Sequence, residues 1–141
     1  EAIVFEITES ILMRDSEHAL KNMDLLKQLG CKLYMDDFGT GYASLTYLKR
    51  FPIDVLKIDR SFVQDIGIDS DNEAIIQSTL TLASSLGKEC IAEGVESAHQ
   101  LAFLKAQGCS YFQGYLFSKA VPKEQVLELI EHDWHPVFSQ A

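Results

Sequence analysis

Positive charge is scarce in this chain: 12 lysines and arginines stand against 21 aspartates and glutamates, a formal net charge of −9. Nucleic-acid binding relies on basic patches, so DNA and RNA are not expected as partners. No apolar run reaches the roughly 20 residues that cross a bilayer, and no stretch reads as a signal peptide, so direct membrane contact is not expected either. Cysteine is sparse. Cys31, Cys90 and Cys109 are unclustered and each opens an apolar run. They read as buried thiols in a reducing compartment and not as a disulfide framework. We therefore expect a cytoplasmic location, with any membrane anchorage left to other domains. The four histidines form no ligand motif. No serine or cysteine stands in a recognisable nucleophile triad. Asp37-Phe38-Gly39 spells the kinase triplet without the loops that accompany it. Gly39-Thr40-Gly41 falls short of a dinucleotide fingerprint.

What is present suffices for one domain with a real core: 141 residues, 47% of them hydrophobic, and a mean hydropathy of zero. The chain has no initial Met and starts inside a strand pattern, so we expect it to be cut from something longer.

The pattern is a string of β-loop-α units. Ala2 to Ile7 reads as a strand, followed by a helix capped by Asp15 or Ser16 and carrying Ala19, Met23 and Leu26 at helical spacing. Lys32 to Asp36 is a second strand, and Leu45 with Leu48 marks a short helix. Asp54 to Asp59 is the third strand, followed by an Asp-rich loop. Ser70 and Glu73 are spaced as a capping box for a helix with Ile76, Leu80 and Ala83 inside. Glu89 to Ala92 is the fourth strand. Ser97 and Gln100 form a second capping-box pattern, over Leu101 and Leu104. Ser110 to Phe112 is a short fifth strand. Pro122 suits the first turn of a last helix whose Val126, Leu129 and Ile130 share a face, and Trp134 to Ala141 reads as a loosely held tail. Strands apolar on both faces, alternating with helices, predict an α/β fold with a parallel sheet.

Each strand ends in a functional group: Glu6, then Asp36 and Asp37, then Lys57 and Asp59, then Glu93, then Gln113. Side chains alternate along a strand, so Glu6 shares a face with Val4, Asp36 with Tyr34, and Lys57 with Val55 and Asp59. If the sheet curls into a barrel, these positions meet at its C-terminal mouth, where barrel enzymes place their active sites. Carboxylates at Glu6, Asp36 and Asp37 suit hard divalent cations, and a pair of such ions serves in-line attack at phosphorus. Lys57 can stabilise a metal-activated hydroxide or the developing phosphorane, and Glu93 can act as base or further ligand. Gly39 and Gly41 let backbone approach a ligand closely. Glu9 and Asp59 are placed to hold that glycine loop by accepting its N–H groups.

These residues resemble the EAL domains, which hydrolyse the bacterial second messenger cyclic di-GMP. Glu6-Ile7-Thr8-Glu9 looks like the family's E-x-T-E motif and Asp36 to Leu45 like its D-D-F-G-T-G-Y-S-S-L loop. Leu56-Lys57-Ile58-Asp59 with Phe62-Val63, Ala92-Glu93-Gly94-Val95-Glu96 with Gln100, and Gln113 to Lys119 match three further motifs. The departures inside the motifs are small: Ala43 for a usual Ser and Ala120 for a usual Pro.

The resemblance implies a TIM-type (β/α) barrel and a phosphodiesterase that uses two Mg²⁺ or Mn²⁺ ions and yields the linear dinucleotide pGpG. By position, Glu6, Asp36 and Asp37 are then metal ligands and Lys57 positions the attacking water. Glu93 is the base or a metal-site residue, Glu9 steadies the loop, and Asp59, Glu96 and Gln113 line or support the site. The family's E-A-L signature and a metal-binding Asn precede the E-x-T-E motif and have no counterpart in this chain; Glu1-Ala2-Ile3 abuts Glu6 in one strand and is not that signature. We therefore expect residues 1–141 to be the C-terminal part of one EAL-type barrel, a partial barrel of about five βα units. Such a piece is expected to be inactive alone and to be completed by the missing strands or by a second copy as a homodimer. The competing functions are a degenerate EAL module that binds cyclic di-GMP or a protein partner without turnover, and a βα-repeat fragment acting on another phosphate compound.

Overall fold

A computed structural model describes residues 3–14, 16–40 and 45–139. Ala2, Asp15, Gly41 and Ala43, all used in the sequence reading, lie outside the described residues.

The chain alternates strands and helices in the order expected. β1 (Val4–Thr8) runs into α1 (Glu9–Arg14) and α2 (Ser16–Gln28), then β2 (Lys32–Phe38), α3 (Leu45–Arg50) and β3 (Val55–Ile58). After β3 come α4 (Arg60–Gln64), α5 (Ser70–Ser85), β4 (Glu89–Glu93), α6 (Ala98–Ala106) and β5 (Tyr111–Gln113). A 3₁₀ turn (Lys123–Gln125), α7 (Val126–Glu131) and α8 (His135–Ser139) close the described chain.

All strand pairs are parallel, and the sheet order is β1-β2-β3-β4-β5. Sequential order joined by crossovers of one hand keeps the helices on one face of the sheet. The core lies on that face: Leu33 and Met35 of β2, Leu56 and Ile58 of β3, and Cys90 and Ala92 of β4 pack on Met23, Ile76, Leu80, Ala83, Leu101 and Leu104 from the helices. Cys31, Cys90 and Cys109 are buried free thiols, as expected. Burial pushes the Cys90 thiol up to about 12 and raises that of Cys109, so neither carries thiolate character at neutral pH. The opposite face carries the chemistry described below. β1 is an edge with little cover, exposing Ile3, Val4 and Phe5.

Four local expectations are corrected. The Asp-rich loop after β3 contains α4, capped by Asp59, whose carboxylate accepts the Ser61 N–H at 2.8 Å. Ser70 and Glu73 form no capping box. Asp69 is the N-cap of α5, and Glu73 turns back to accept the Gly67 N–H at 2.8 Å. Pro122 is not in the first turn of the last helix: it precedes a 3₁₀ turn as its N-cap, α7 begins only at Val126, and α8 follows it. The segment from Trp134 docks: the Phe117 ring lies 5.8 Å from Trp134 and 5.7 Å from Phe138, and Lys105 donates to the Phe138 carbonyl at 2.6 Å. The Ser97–Gln100 capping box at the head of α6 is formed as expected.

Candidate active site

The C-terminal ends of the strands converge on Lys57. It stands on β3, the central strand, and is 4% exposed. Its ammonium group lies 2.8 Å from Glu93 Oε1, 3.0 Å from Glu6 Oε2 and 3.1 Å from Asp36 Oδ1. Side chains from all five strands thus face one polar mouth, because Gln113 of β5 pairs in register with Glu93 and the other four meet at the lysine. Burial alone would depress the lysine pKa. The hydrogen bonds to Glu93, Glu6 and Asp36 outweigh burial and hold it above the ordinary lysine value, so it stays a cation. Glu93 moves the other way. Its own burial, reinforced by the charges of Asp36 and Glu6 and opposed by Lys57, raises it above the usual carboxylate range.

Asp36 and Asp37 are adjacent in sequence, so a regular strand would send them to opposite faces. The register prevents this. Met35 pairs with Leu56 and Phe38 with Ile58, so β2 spends one residue more than β3 over the same span. That extra residue is a β-bulge, and Asp37 takes it up with φ +56°, in the left-handed region that Asp tolerates better than most residues. Met35 and Phe38 both stay in the core while both carboxylates lie between them. Strand alternation alone places Asp36 correctly and has no place for Asp37; the bulge is what sequence reasoning missed. Burial raises the Asp37 pKa, as do the neighbouring Asp36 and Asp59, and its carboxyl hydrogen-bonds Asp59.

Glu9 lies against the glycine loop. It is 3% exposed at the start of α1, and its Oε2 accepts the Gly39 N–H at 3.3 Å. Its other oxygen, Oε1, is buried and has no partner among the described residues. Asp59 was expected to grip the glycine loop in the same way; among the described residues it caps α4 instead. Its carboxylate takes both the N–H and the hydroxyl of Ser61, and these bonds outweigh burial and hold its pKa low. The residue after a strand end that opens a short helix is better used as its cap than as a loop clamp.

Two glycines let neighbouring segments close on the end of β4. At Gly114 a Cβ would meet the Val95 carbonyl oxygen at 2.1 Å and its nitrogen at 2.3 Å, because Val95 donates to the Gln113 carbonyl at 3.0 Å and accepts from the Leu116 N–H at 2.9 Å. At Gly94, with φ +70°, a Cβ would meet the Arg60 stem at 2.2 Å. Arg60, Glu93, Gly94, Glu96, Gln113, Gly114 and Tyr115 line a cavity of about 210 Å³ beside the lysine nest. Glu96 pairs with Arg60 there, at 2.7 Å. Sequence reasoning passed over Arg60; its position next to Asp59 in a motif was the available signal.

The donors gathered here are oxygens from carboxylates, the chemistry that Mg²⁺ and Mn²⁺ prefer. Among the described residues no three His, Cys, Asp or Glu side chains are grouped closely enough to hold a metal ion by themselves. Glu6, Asp36 and Asp37 therefore fit a cation in donor type but supply only part of a coordination set.

A family model described as the EAL domain matches residues 1–120. The chain belongs to the EAL domain family. Among its relatives is the bifunctional diguanylate cyclase/cyclic di-GMP phosphodiesterase MucR of Pseudomonas aeruginosa, 43% identical over 125 residues, which are 89% of this chain and 18% of MucR. Among solved structures, the PaMucR phosphodiesterase in complex with c-di-GMP superposes with a TM-score of 0.85 at 43% identity, covering 87% of this chain and 50% of that one. A manganese/cy-diGMP complex of Klebsiella pneumoniae BlrP1 superposes with a TM-score of 0.76 at 37% identity, covering 82% of this chain and 30% of that one. The chain thus spans under a fifth of MucR's length and half of the solved MucR chain. EAL domains are TIM-barrel-like, and the five-stranded parallel sheet of this chain is part of such a barrel.

Proposed function

We propose that this EAL segment forms most of the catalytic mouth of a phosphodiesterase that opens cyclic di-GMP to linear pGpG. The observation that carries the reading is the Lys57 ammonium, buried and bridging Glu6, Asp36 and Glu93, with Asp37 bulged in beside them. A permanent cation among carboxylates at the strand ends suits stabilisation of charge that develops on a phosphoryl group. In this reading Glu6, Asp36 and Asp37 hold the metal ions, Mg²⁺ or Mn²⁺ and two in the complete domain. When bound, such ions polarise the phosphodiester and lower the pKa of water. Lys57 orients the attacking water, and Glu93, at 2.8 Å from it, takes the proton. Glu9 keeps the glycine loop over the site through Gly39. Asp59 supports Asp37, while Glu96 and Gln113 line the adjoining cavity.

By the same reading the 141-residue chain alone turns over no substrate, since its described residues supply an incomplete ligand set. The bare outer edge of β1, with Ile3, Val4 and Phe5 exposed, is where further strands would add, from elsewhere in the protein or from a second copy. Solution mass distinguishes these: a folded, dispersed monomer of this chain counts against pairing of copies. A degenerate module that binds without turnover is the second reading.

The test is hydrolysis of cyclic di-GMP by the protein at its full natural length, with Mg²⁺ or Mn²⁺ and with chelator, for wild type and Asp36→Ala. Release of pGpG that stops with chelator or with Asp36→Ala supports the enzyme. Binding without hydrolysis by wild type supports the sensor, and turnover that survives Asp36→Ala removes the metal mechanism.

A further inference from the structure

Lys88 stands half-buried just before β4, at the end of that strand opposite Glu93 and about 16 Å from it along the chain. Among the described residues it has no carboxylate within ion-pair distance. Its acceptors are the carbonyls of Ile53 at 2.7 Å and Phe51 at 3.4 Å. Asp54 attracts it from farther away but already holds Lys27 at 2.7 Å. Burial lowers the Lys88 pKa, the pull of Asp54 opposes this, and the Lys27 charge adds to it. A partly desolvated cation left with neutral acceptors carries a cost that a bound anion would relieve.

Lys88 also lines a cavity of about 270 Å³ at the foot of β4 and β5. Part of the wall is apolar: Leu80, Ala83 and the neutral thiols of Cys90 and Cys109. Ser84 and Ser110 add hydroxyls, neither of which has a partner among the described residues. Glu89 is in the wall too, where it accepts from the Tyr111 hydroxyl at 2.9 Å.

The ammonium and the two hydroxyls suit an oxyanion. Glu89 beside them disfavours a second negative charge on the ligand, which selects a carboxylate over a phosphate dianion. The apolar wall matches a hydrocarbon body. The volume lies below the ~300–1,000 Å³ of sites for drug-sized molecules and limits that body to a few carbons. We propose that this cavity binds a short-chain monocarboxylate, with its carboxylate on Lys88 and its body against Leu80, Ala83 and the two cysteines. The site lies at the foot of the strands, away from Lys57, and does not depend on the phosphodiesterase reading.

The test is calorimetric titration of the protein at its full natural length, in buffer free of carboxylates, with butyrate, acetate and inorganic phosphate. Butyrate should bind saturably with a Kd of about 1 mM, as expected for a ligand of so few atoms. Acetate lacks two methylene groups and should bind about tenfold more weakly. Phosphate should also bind more weakly than butyrate. Lys88→Met removes the ammonium and keeps an apolar stem, and Ser110→Phe puts a ring in the cavity while leaving Lys88 in place. Each should weaken butyrate at least about tenfold. Circular dichroism shows whether the variants are folded, and Ser110→Phe decides the matter if Lys88→Met is not. Butyrate affinity unchanged in either folded variant overturns the site. Phosphate binding as tightly as butyrate overturns the ligand class. No saturable binding of butyrate at about ten times the expected Kd overturns the proposal outright. None of these outcomes turns on hydrolysis of cyclic di-GMP.

Discussion

Lys57 Nζ and Glu93 Oε1 lie 2.8 Å apart, joining neighbouring strands β3 and β4 at the mouth of the sheet. The two groups respond to one another in a way that neither would alone. The lysine is kept charged by carboxylates that include Glu93, and Glu93 is kept from ordinary carboxylate strength by burial beside Asp36 and Glu6. The lysine by itself lowers the carboxylate, but the burial of Glu93 beside two further carboxylates outweighs it, unlike in an isolated surface ion pair.

Replacing Lys57 with Met should therefore damage folding and chemistry together. It leaves Glu6, Asp36 and Glu93 facing one another without the cation they share. Breaking a buried pair in this way costs about 3–5 kcal/mol. Urea unfolding in chelator at neutral pH should show a loss of that order for Lys57→Met. The loss should shrink as pH falls and the carboxylates protonate. Hydrolysis by the full-length protein should drop by at least about 10²-fold, the lower end expected for loss of an electrostatic stabiliser.

A second ion pair, far from the mouth, sets a different pH dependence. Asp54, just before β3, accepts from Lys27 at 2.7 and 2.8 Å and from the Leu33 N–H at 2.8 Å, tying α2 to β2 and β3. Burial raises its pKa, but these bonds outweigh burial and hold it below the ordinary 3.8. A carboxylate depressed on folding contributes stability that is complete above its unfolded pKa and lost as pH falls through the folded one. Asp54→Asn should cost about 1.5–3 kcal/mol at pH 7, the range for hydrogen bonds to charged groups. The difference from wild type should vanish at pH values below the folded pKa. A gap that persists unchanged into strong acid would show that Asp54 acts through something other than its charge.

Much of this architecture was legible before any coordinates. Strands β2 to β4 are short apolar runs with polar ends, and such runs have few alternatives in an α/β chain. What escaped was governed by single residues. Helices α1 and α4 have six and five residues, too few for a hydrophobic period to show. Glu73 has the right spacing from Ser70 for a capping box, but its carboxylate finds the Gly67 N–H instead, and Asp69 is left to cap the helix. Trp134 and Phe138 are apolar without a pattern, and they became a docked end because Phe112 and Phe117 offer aromatic faces. The bulge at Asp37 is invisible to alternation, which assumes that every residue is paired.

Gly114 has no side chain because the β4 and β5 ends meet at its Cα. The atoms a Cβ would strike belong to the Val95 backbone, which cannot swing aside. Gly114→Ala should destabilise by about 1–3 kcal/mol, as overpacking does elsewhere. It should also move Gln113, whose carbonyl is tied to the Val95 N–H. Chemical-shift changes at Val95 and Leu116 amides would show the displacement. An alanine variant with wild-type stability and unshifted amides would mean that the two ends are not held together as described.

The bulge makes a prediction that separates backbone from side chain at one position. Asp37 is held at φ +56°, where glycine is unstrained and a β-branched residue is disfavoured by about 1–2 kcal/mol. Asp37→Gly should therefore fold with stability close to wild type while removing a carboxylate from the site. Asp37→Val removes the same carboxylate and adds the strain, so it should unfold earlier in urea by about that amount. If Asp37 holds a metal ion, both variants should lose Mn²⁺ affinity equally, by at least about tenfold in a titration of the full-length protein. Equal stability of the two variants would deny the left-handed bulge. Equal Mn²⁺ affinity of Asp37→Gly and wild type would leave the bulge intact and take Asp37 out of the metal site. The two measurements answer different questions because φ belongs to the backbone and the charge to the side chain.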